Sequence, residues 1–276
     1  MSRYKKSSRA KEGSRAELAA QQEQVRAATL TVALFFGAAL IAVAGIVGGM
    51  RIYSLLPQPP RAVIVDQLSL TAPNPDFIER ATEMLEAAGY AVDYVPGEEV
   101  TVDYYRSLPK RDYELVLLRT HASRRLADGE LTDDSSLFTS EGYSPRRHVQ
   151  DQRDGRLSIS RFDVGDHEDD AYFGIPADFI TSSMDGSFTG ATVVLMGCDV
   201  LRGERLAGAF VEKGAGAVVG WDGPVSASHT DAATLNLLEH LLNGAVTVQQ
   251  ATEAAMAEVG PDPFYESGLL SYPPEG

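Results

Sequence analysis

Two residues of this sequence have the types and the positions for nucleophilic catalysis. Cys198, the only cysteine, follows an apolar run at 191–196 that is typical of a buried strand, and His121 follows a second such run at 114–119. The carboxyl ends of parallel strands meet at one edge of an open α/β sheet, so we expect the thiol and the imidazole to meet there. The pair predicts a cysteine nucleophile with a histidine base. The alternative is that Cys198 is a small buried hydrophobe that only packs.

Residue type and spacing argue against other kinds of site. A single cysteine in 276 residues forms no intramolecular disulfide and no zinc-finger ligand set. The glycine-rich segment at 214–220 follows a helical pattern and leads into a strand, which is the reverse of the turn that binds dinucleotides. The histidines and aspartates near 148 and 167–170 have no fixed ligand spacing. We therefore expect neither a metal nor a cofactor.

Residues 27–50 are 24 residues without a charge, bounded by Arg26 and Arg51. As a helix they would extend ~36 Å at ~1.5 Å per residue, which is enough to cross a bilayer. The tail at 1–26 has seven basic residues against three acidic ones, so the positive-inside rule predicts that it is cytoplasmic. We therefore expect a single-pass protein of the cell membrane whose C-terminal domain is extracytoplasmic.

Two further features of this apolar segment bear on its role. Residues 42–44 resemble a signal-peptide cleavage site, which is the alternative interpretation, but the apolar run and the leader before it are long for a signal peptide. Gly45 and Gly49 form a small-xxx-small pair, which would allow a homodimer through the helix.

Beyond Met50 the chain is strongly acidic, with 17 Lys and Arg against 36 Asp and Glu and a formal net charge of −19. Such a surface repels phosphate groups, so nucleic acid and anionic lipid head groups are not expected as ligands of the outer domain. One interpretation is that the charge favours cationic partners. The other is that it only keeps the domain soluble, which needs no partner.

A proline-rich linker at 51–60 leads to the outer domain at 61–276. Strand patterns there alternate with helical ones, which predicts a mainly parallel sheet with helices on both faces. The predicted fold class is thus α/β, a three-layer sandwich behind one N-terminal transmembrane helix. The predicted strands are 62–65, 91–95, 114–119, 191–196 and 217–221, and the predicted helices are 75–89, 100–108, 202–213, 230–242 and 246–259.

The alternation stops at about 124–190, in a polar and acidic stretch. Two strand patterns, 135–139 and 156–162, and a short helical pattern at 176–184 lie within it. We predict a hairpin region inserted into the α/β domain between His121 and Cys198.

Five segments carry a resemblance to a known family: LLRTHAS at 117–123, VVLMGCD at 193–199, LAGAF at 206–210, GAGAVVGW at 214–221 and GPVS at 223–226. Over residues 61–259 the chain resembles the caspase-like cysteine peptidases, in particular the gingipain, clostripain and CHAT-domain branch. In that family a histidine after one strand and a cysteine after the next flank the scissile bond. The resemblance implies a caspase-like fold in which His121 and Cys198 are the catalytic dyad.

The resemblance also implies that the backbone N–H groups of Cys198 and Ala122 form the oxyanion hole. Family members usually have glycine where this chain has Ala122, so the methyl group there is a departure. The clostripain-like and metacaspase branches have an aspartate two residues before the cysteine to select a basic residue. Met196 occupies that position here.

Three residues are candidates for the substrate pocket. Asp222 is the substitute carboxylate, Trp221 would form a wall of the same pocket, and Asp199 directly follows the nucleophile. An alternative of equal weight is that Asp222 is only a turn residue before Gly223.

The sequence therefore predicts a membrane-anchored, thiol-dependent endopeptidase that acts on a peptide or protein substrate. Two alternatives stay open. One is a catalytically inactive caspase-like ectodomain that binds a partner, and the other is a tethered ligand-binding or sensor domain in which Cys198 only packs.

Overall fold

Short apolar runs form the strands of a six-stranded sheet, which fits the prediction from the sequence. The computed structural model describes Glu23 and residues 58–127, 129–161, 170–244 and 246–274. The sheet has the order β10-β9-β8-β3-β1-β2, and all its strands are parallel except the edge strand β10. Its strands are β1 (Arg61–Asp66), β2 (Ala91–Pro96), β3 (Leu115–Arg119), β8 (Thr192–Leu195), β9 (Ala217–Trp221) and β10 (Leu269–Tyr272).

Helices cover both faces of this sheet, because its inner strands are apolar on both sides. One core lies between the sheet and α1 (Pro75–Ala87), α6 (Ala227–Asn243) and α7 (Val248–Val259). The other lies between the sheet and α2 (Val102–Ser107), α4 (Ala177–Ser183) and α5 (Arg205–Glu212). The prediction of an α/β fold with a mainly parallel sheet is confirmed.

A second, four-stranded antiparallel sheet occupies most of the predicted insertion. Its order is β4-β5-β7-β6, and it contributes Leu137, Phe173 and Ile175 to the core beside α2. Its strands are β4 (Ala122–Ala127), β5 (Glu130–Gly142), β6 (Ser158–Arg161) and β7 (Ala171–Pro176), and α3 (Val149–Arg153) lies between β5 and β6. The sequence patterns indicated β5, β6 and α4 but not β4 or β7.

Helix α6 begins three residues before its predicted start at Thr230. Ser226 lies just before the helix, where its backbone N–H and its hydroxyl both donate to the Asp262 carboxylate. Three short 3₁₀ turns, Gln67–Leu70, Gly97–Glu99 and Leu108–Arg111, complete the connections in the part of the chain that is described.

The predicted membrane anchor at 27–50 lies outside the described residues, as does its glycine pair. The predicted cytoplasmic tail at 1–26 does too, apart from Glu23. Among the helices that are described, none is long and apolar enough to span a bilayer.

Candidate active site

His121 and Cys198 stand at the same level beyond neighbouring strands. β3 and β8 are paired in parallel with Leu118 opposite Leu195. Each of the two site residues lies three positions beyond its member of that pair, and the Met196 N–H donates to the Leu118 carbonyl at 3.0 Å to continue the pairing. The sheet therefore delivers the imidazole and the thiol to one edge, as the strand patterns predicted.

Gly197 lets the two strand ends approach each other closely. A Cβ atom at this position would lie 2.7 Å from the Thr120 carbonyl oxygen and 2.9 Å from the Ala122 Cβ, both closer than van der Waals contact allows. Only glycine fits between these segments without displacing them. The residue before the cysteine thus sets the distance between the histidine segment and the cysteine segment.

The two side chains line one small cavity of about 50 Å³, together with Thr120, Met196 and Thr230. Both His121 and Cys198 are half-buried. The cavity is large enough for about one water molecule, and Cys198 lines both this cavity and a larger groove. The thiol is thus neither sealed in the core nor separated from the imidazole by the sheet.

Three contacts between His121 and other described residues come from different parts of the chain. Its Nε2 lies 2.8 Å from the Thr71 hydroxyl oxygen, its backbone N–H donates to Gln67 Oε1 at 3.0 Å, and its ring packs against Phe138. Burial lowers the pKa of His121 to about 4, and the nearby positive charge of Arg119 acts in the same direction. The imidazole is therefore neutral at neutral pH.

Cys198 lies at a tight turn. Its sulfur accepts a hydrogen bond from the Val225 N–H at 3.4 Å and lies 3.6 Å from the Val225 carbonyl oxygen. The next residue, Asp199, has a left-handed backbone with φ of 56°. Burial raises the pKa of the Cys198 thiol above its ordinary value, and the carboxylates of Asp199 and Asp262 add to this effect.

A buried ion-pair network lies two residues before His121. The Arg119 guanidinium is fully buried and donates to Asp66 Oδ1 and Asp231 Oδ1, each at 2.7 Å. It also donates to the Ala72 carbonyl at 2.8 Å, next to Thr71. The same guanidinium therefore holds both the strand that leads to His121 and the segment that carries the hydroxyl partner of His121.

The predicted oxyanion-hole residues, Ala122 and Cys198, both line the larger groove, which has a volume of about 730 Å³. Asp199 lines it as well. Its carboxylate is 3.2 Å from Arg202, so that charge is already paired.

The other two pocket candidates do not lie where the sequence predicted. Trp221 is fully buried in the core beside α6, where its indole N–H donates to the Thr230 hydroxyl at 2.9 Å, so it forms no pocket wall. Asp222 accepts a hydrogen bond from the Gly268 N–H at 2.8 Å and joins the end of β9 to the segment before β10. This is the turn role that the sequence left open for Asp222.

Met196 is buried, with 1% of its surface exposed, so no side chain from that position reaches the groove. Within the described ranges, no three His, Cys, Asp or Glu side chains are grouped so that they could hold a metal ion. His148 instead contacts the buried Glu141 carboxylate at 2.7 Å.

No family model matches this chain, and no curated protein matches it either. One solved structure that is similar to it is the crystal structure of the Arg-specific cysteine proteinase gingipain R. The sequence identity is 11% and the TM-score is 0.38. The match covers 72% of this chain and 42% of that chain, so this chain spans less than half the length of that proteinase.

Sequence reasoning missed four residues that shape the site. They are Gln67, Thr71, Arg119 and Gly197. Gly197 had a usable signal, because a glycine between a strand and a reactive residue often marks a close approach of two backbones. Gln67 and Thr71 had none, since they lie about 50 residues before His121 in the chain.

Proposed function

We propose that this chain is a thiol-dependent endopeptidase of caspase-like fold, with Cys198 as nucleophile and His121 as general base. The observation that carries the proposal is the shared cavity, which both side chains line at the same level beyond two paired parallel strands. The adjoining groove supplies a place for a peptide beside the sulfur.

The pKa directions favour one form of the mechanism. Because the pKa of the thiol is raised and that of the imidazole is lowered, both groups are neutral before substrate binds. The S–H bond therefore breaks as the sulfur attacks the substrate carbonyl carbon, and the proton moves to His121 while the C–S bond forms.

The second half of the reaction returns the proton. The imidazolium protonates the leaving amine as the C–N bond breaks, and a thioester to Cys198 remains. A water molecule then attacks the thioester carbon while His121 takes its proton. The C–S bond breaks, the imidazolium returns the proton to the sulfur, and the acid product and the free thiol are released. We assign oxyanion binding to the backbone N–H groups of Ala122 and Cys198.

We further propose that residues 27–50 anchor the protein in the cell membrane, with the basic tail in the cytoplasm and the peptidase domain outside. The support is the run of 24 uncharged residues and the seven basic residues before or beside it. A homodimer through Gly45 and Gly49 belongs to the same proposal.

A catalytically inactive ectodomain that binds a partner is the second candidate function. The protonated thiol, its two contacts with the Val225 backbone and the alanine at position 122 favour it. Its groove would then bind a peptide without cleaving it.

Labelling of the full chain with peptidyl acyloxymethyl ketones separates the two functions. A peptidase is labelled at Cys198, and His121→Ala slows labelling by about 10²-fold or more, because the base that removes the thiol proton is lost. His240→Ala, which changes a histidine on α6 outside the site, serves as the matched control and keeps the rate. A folded chain whose Cys198 does not react, or reacts equally fast without His121, contradicts the peptidase proposal.

A further inference from the structure

The groove beside Cys198 has an unusual set of side chains for so acidic a protein. Three arginines line it, Arg124 and Arg125 from β4 and Arg161 from β6, and Ala122 and Cys198 form its border with the dyad. Among the described residues that line it, three arginines stand beside one aspartate, Asp199, whereas the chain beyond Met50 has a formal net charge of −19. A charge reversal next to a nucleophile attracts ligands of negative charge.

The arginines of the groove are only partly neutralised by nearby carboxylates, and Arg124 Nη2 lies 3.6 Å from Asp133 Oδ1. Asp199 is the acidic residue among the groove's lining residues in the described part of the chain, and its Oδ1 is paired with Arg202 at 3.2 Å. Asp199 is also 8% exposed, which leaves little of its carboxylate for a ligand or for the groove's arginines.

The three arginines differ in the groups that they already contact. Arg124 is structural, because its guanidinium donates to the Thr132 carbonyl at 2.8 Å and to the Leu131 carbonyl at 3.0 Å across the β4–β5 hairpin. Arg161 is exposed at the end of β6, and within the described ranges no carboxylate lies within ion-pair distance of it. Among the described residues, its guanidinium therefore has no competing carboxylate.

Arg125 is held only loosely. Its Nη1 lies 3.7 Å from Asp178 Oδ2, and the same carboxylate is bound more closely by Arg205 at 2.8 Å. A pair this long and this exposed contributes little, so a substrate carboxylate would compete for Arg125 at small cost.

Small polar residues line the groove between the arginines. The Ser158 hydroxyl donates to the Ser136 hydroxyl at 2.9 Å, and Gly174 lies beneath them, where any Cβ atom would clash with the hydroxyls of Ser158 and Ser160. The Ser160 hydroxyl is buried and has no hydrogen-bond partner among the described residues. A buried hydroxyl without a partner is costly, and a bound acceptor would remove that cost.

We propose that this groove is the specificity site of the enzyme and that it takes an acidic side chain of the substrate, with Arg125 and Arg161 as the groups that bind its carboxylate and the Ser160 hydroxyl as a further donor in the groove. The inference rests on the proposed function, because it names the substrate class of that same site. A carboxylate fits the site chemically, since it accepts charge-assisted hydrogen bonds from guanidinium groups.

Peptidyl acyloxymethyl ketones with Glu, Gln or Lys at each of the four positions before the ketone test the preference on the full chain. At one position or more, we expect Glu to label Cys198 at least about tenfold faster than Gln, and Lys to be slowest. Arg161→Glu and Arg125→Glu should each remove most of this preference. Arg80→Glu, an exposed arginine on α1 that does not line the groove, is the matched control and should leave the order unchanged.

Equilibrium binding separates this inference from the peptidase proposal. Fluorescence anisotropy of the same peptides, without the ketone, is measured on the full-length Cys198→Ala chain and on Cys198→Ala with Arg161→Glu. If Glu peptides bind more tightly than the others and Arg161→Glu abolishes this preference, the groove inference is supported. It is supported even if Cys198 is never labelled, and in that case only the peptidase proposal fails. A preference for Gln or Lys at every position, or a Glu preference that neither arginine substitution changes, overturns the groove inference whether or not Cys198 is labelled.

Discussion

The two sheets of this protein differ in what stabilises them and in what they present to a substrate. In the parallel sheet, β3 is buried along its whole length, and the only charged group on it, Arg119, is neutralised by two buried aspartates. The antiparallel sheet presents arginines and serines to a groove and leaves Leu126, Leu131 and Ile159 about half or more exposed. The proposed catalytic pair therefore depends on the buried sheet, and the proposed selectivity depends on the more exposed one.

Substitution of Arg119 is expected to have the largest effect, and it tests how strongly the buried ion pairs stabilise the parallel sheet. Arg119→Met leaves Asp66 and Asp231 buried without a countercharge, which should lower the free energy of unfolding by about 3–5 kcal/mol. The exposed pair Lys110–Asp185, at 3.0 Å, gives the matched control, and Lys110→Met should cost less than about 1 kcal/mol. Urea unfolding of both variants measures the difference. Equal losses would mean that the buried network does not hold the parallel sheet.

A methyl group at Gly197 is expected to have a smaller but more local effect. Gly197→Ala forces the Thr120 to Ala122 segment away from the cysteine segment, which should cost about 1–3 kcal/mol and slow the labelling of Cys198. Gly142→Ala, at the end of β5, is the control, because a Cβ atom there meets nothing within 4 Å. If Cys198 is labelled at the same rate in the two variants, the close approach of the strand ends does not affect the reactivity of the thiol.

The smallest of the three effects is expected in the free energy of unfolding at acidic pH. The pKa of His121 is about 4 in the folded protein against an ordinary value of 6.5, so the unfolded chain takes up this proton first as the pH falls. The contribution of neutral His121 is complete above pH 6.5 and is lost as the pH falls towards 4. Because the ring is half-buried, we expect about 1 kcal/mol between pH 7.5 and pH 5.

The comparison of wild type with His121→Gln isolates this effect from the titration of carboxylates. The free energy of unfolding, measured by urea at both pH values, should fall further in the wild type than in the variant. Parallel losses in the two proteins would show that the imidazole is not kept neutral by burial.

Strand β9 shows how well local pattern predicts an element, and its last residue shows where pattern fails. The predicted bounds, 217–221, are those of the structure, because a short apolar run between glycines has few other conformations. The buried position of the Trp221 side chain could not be predicted from the local pattern. Its indole is buried because α6 and β10 cover that end of the strand, and β10 was not predicted.

The antiparallel sheet was the hardest part to predict, for a related reason. β4 and β7 contain arginine, serine and glycine rather than a regular apolar alternation, and a register shift between Arg124 and Leu126 breaks the pattern further. Their pairing depends on the strands beside them, which no local periodicity reports. The sequence alone therefore did not predict the groove or the position of its three arginines.

The order of residues along the chain was enough to establish a mainly parallel α/β domain and to place an imidazole and a thiol after two of its strands. Apolar runs of strand length dictate this, because burying them is the main gain in folding. Tertiary structure alone decided that those two strands are neighbours, that Thr71 contacts His121 across 50 residues, and that Asp231 neutralises Arg119 across 112 residues. A buried charge or a ring nitrogen takes whichever partner the packing brings within about 3 Å, and sequence separation has no influence on that choice.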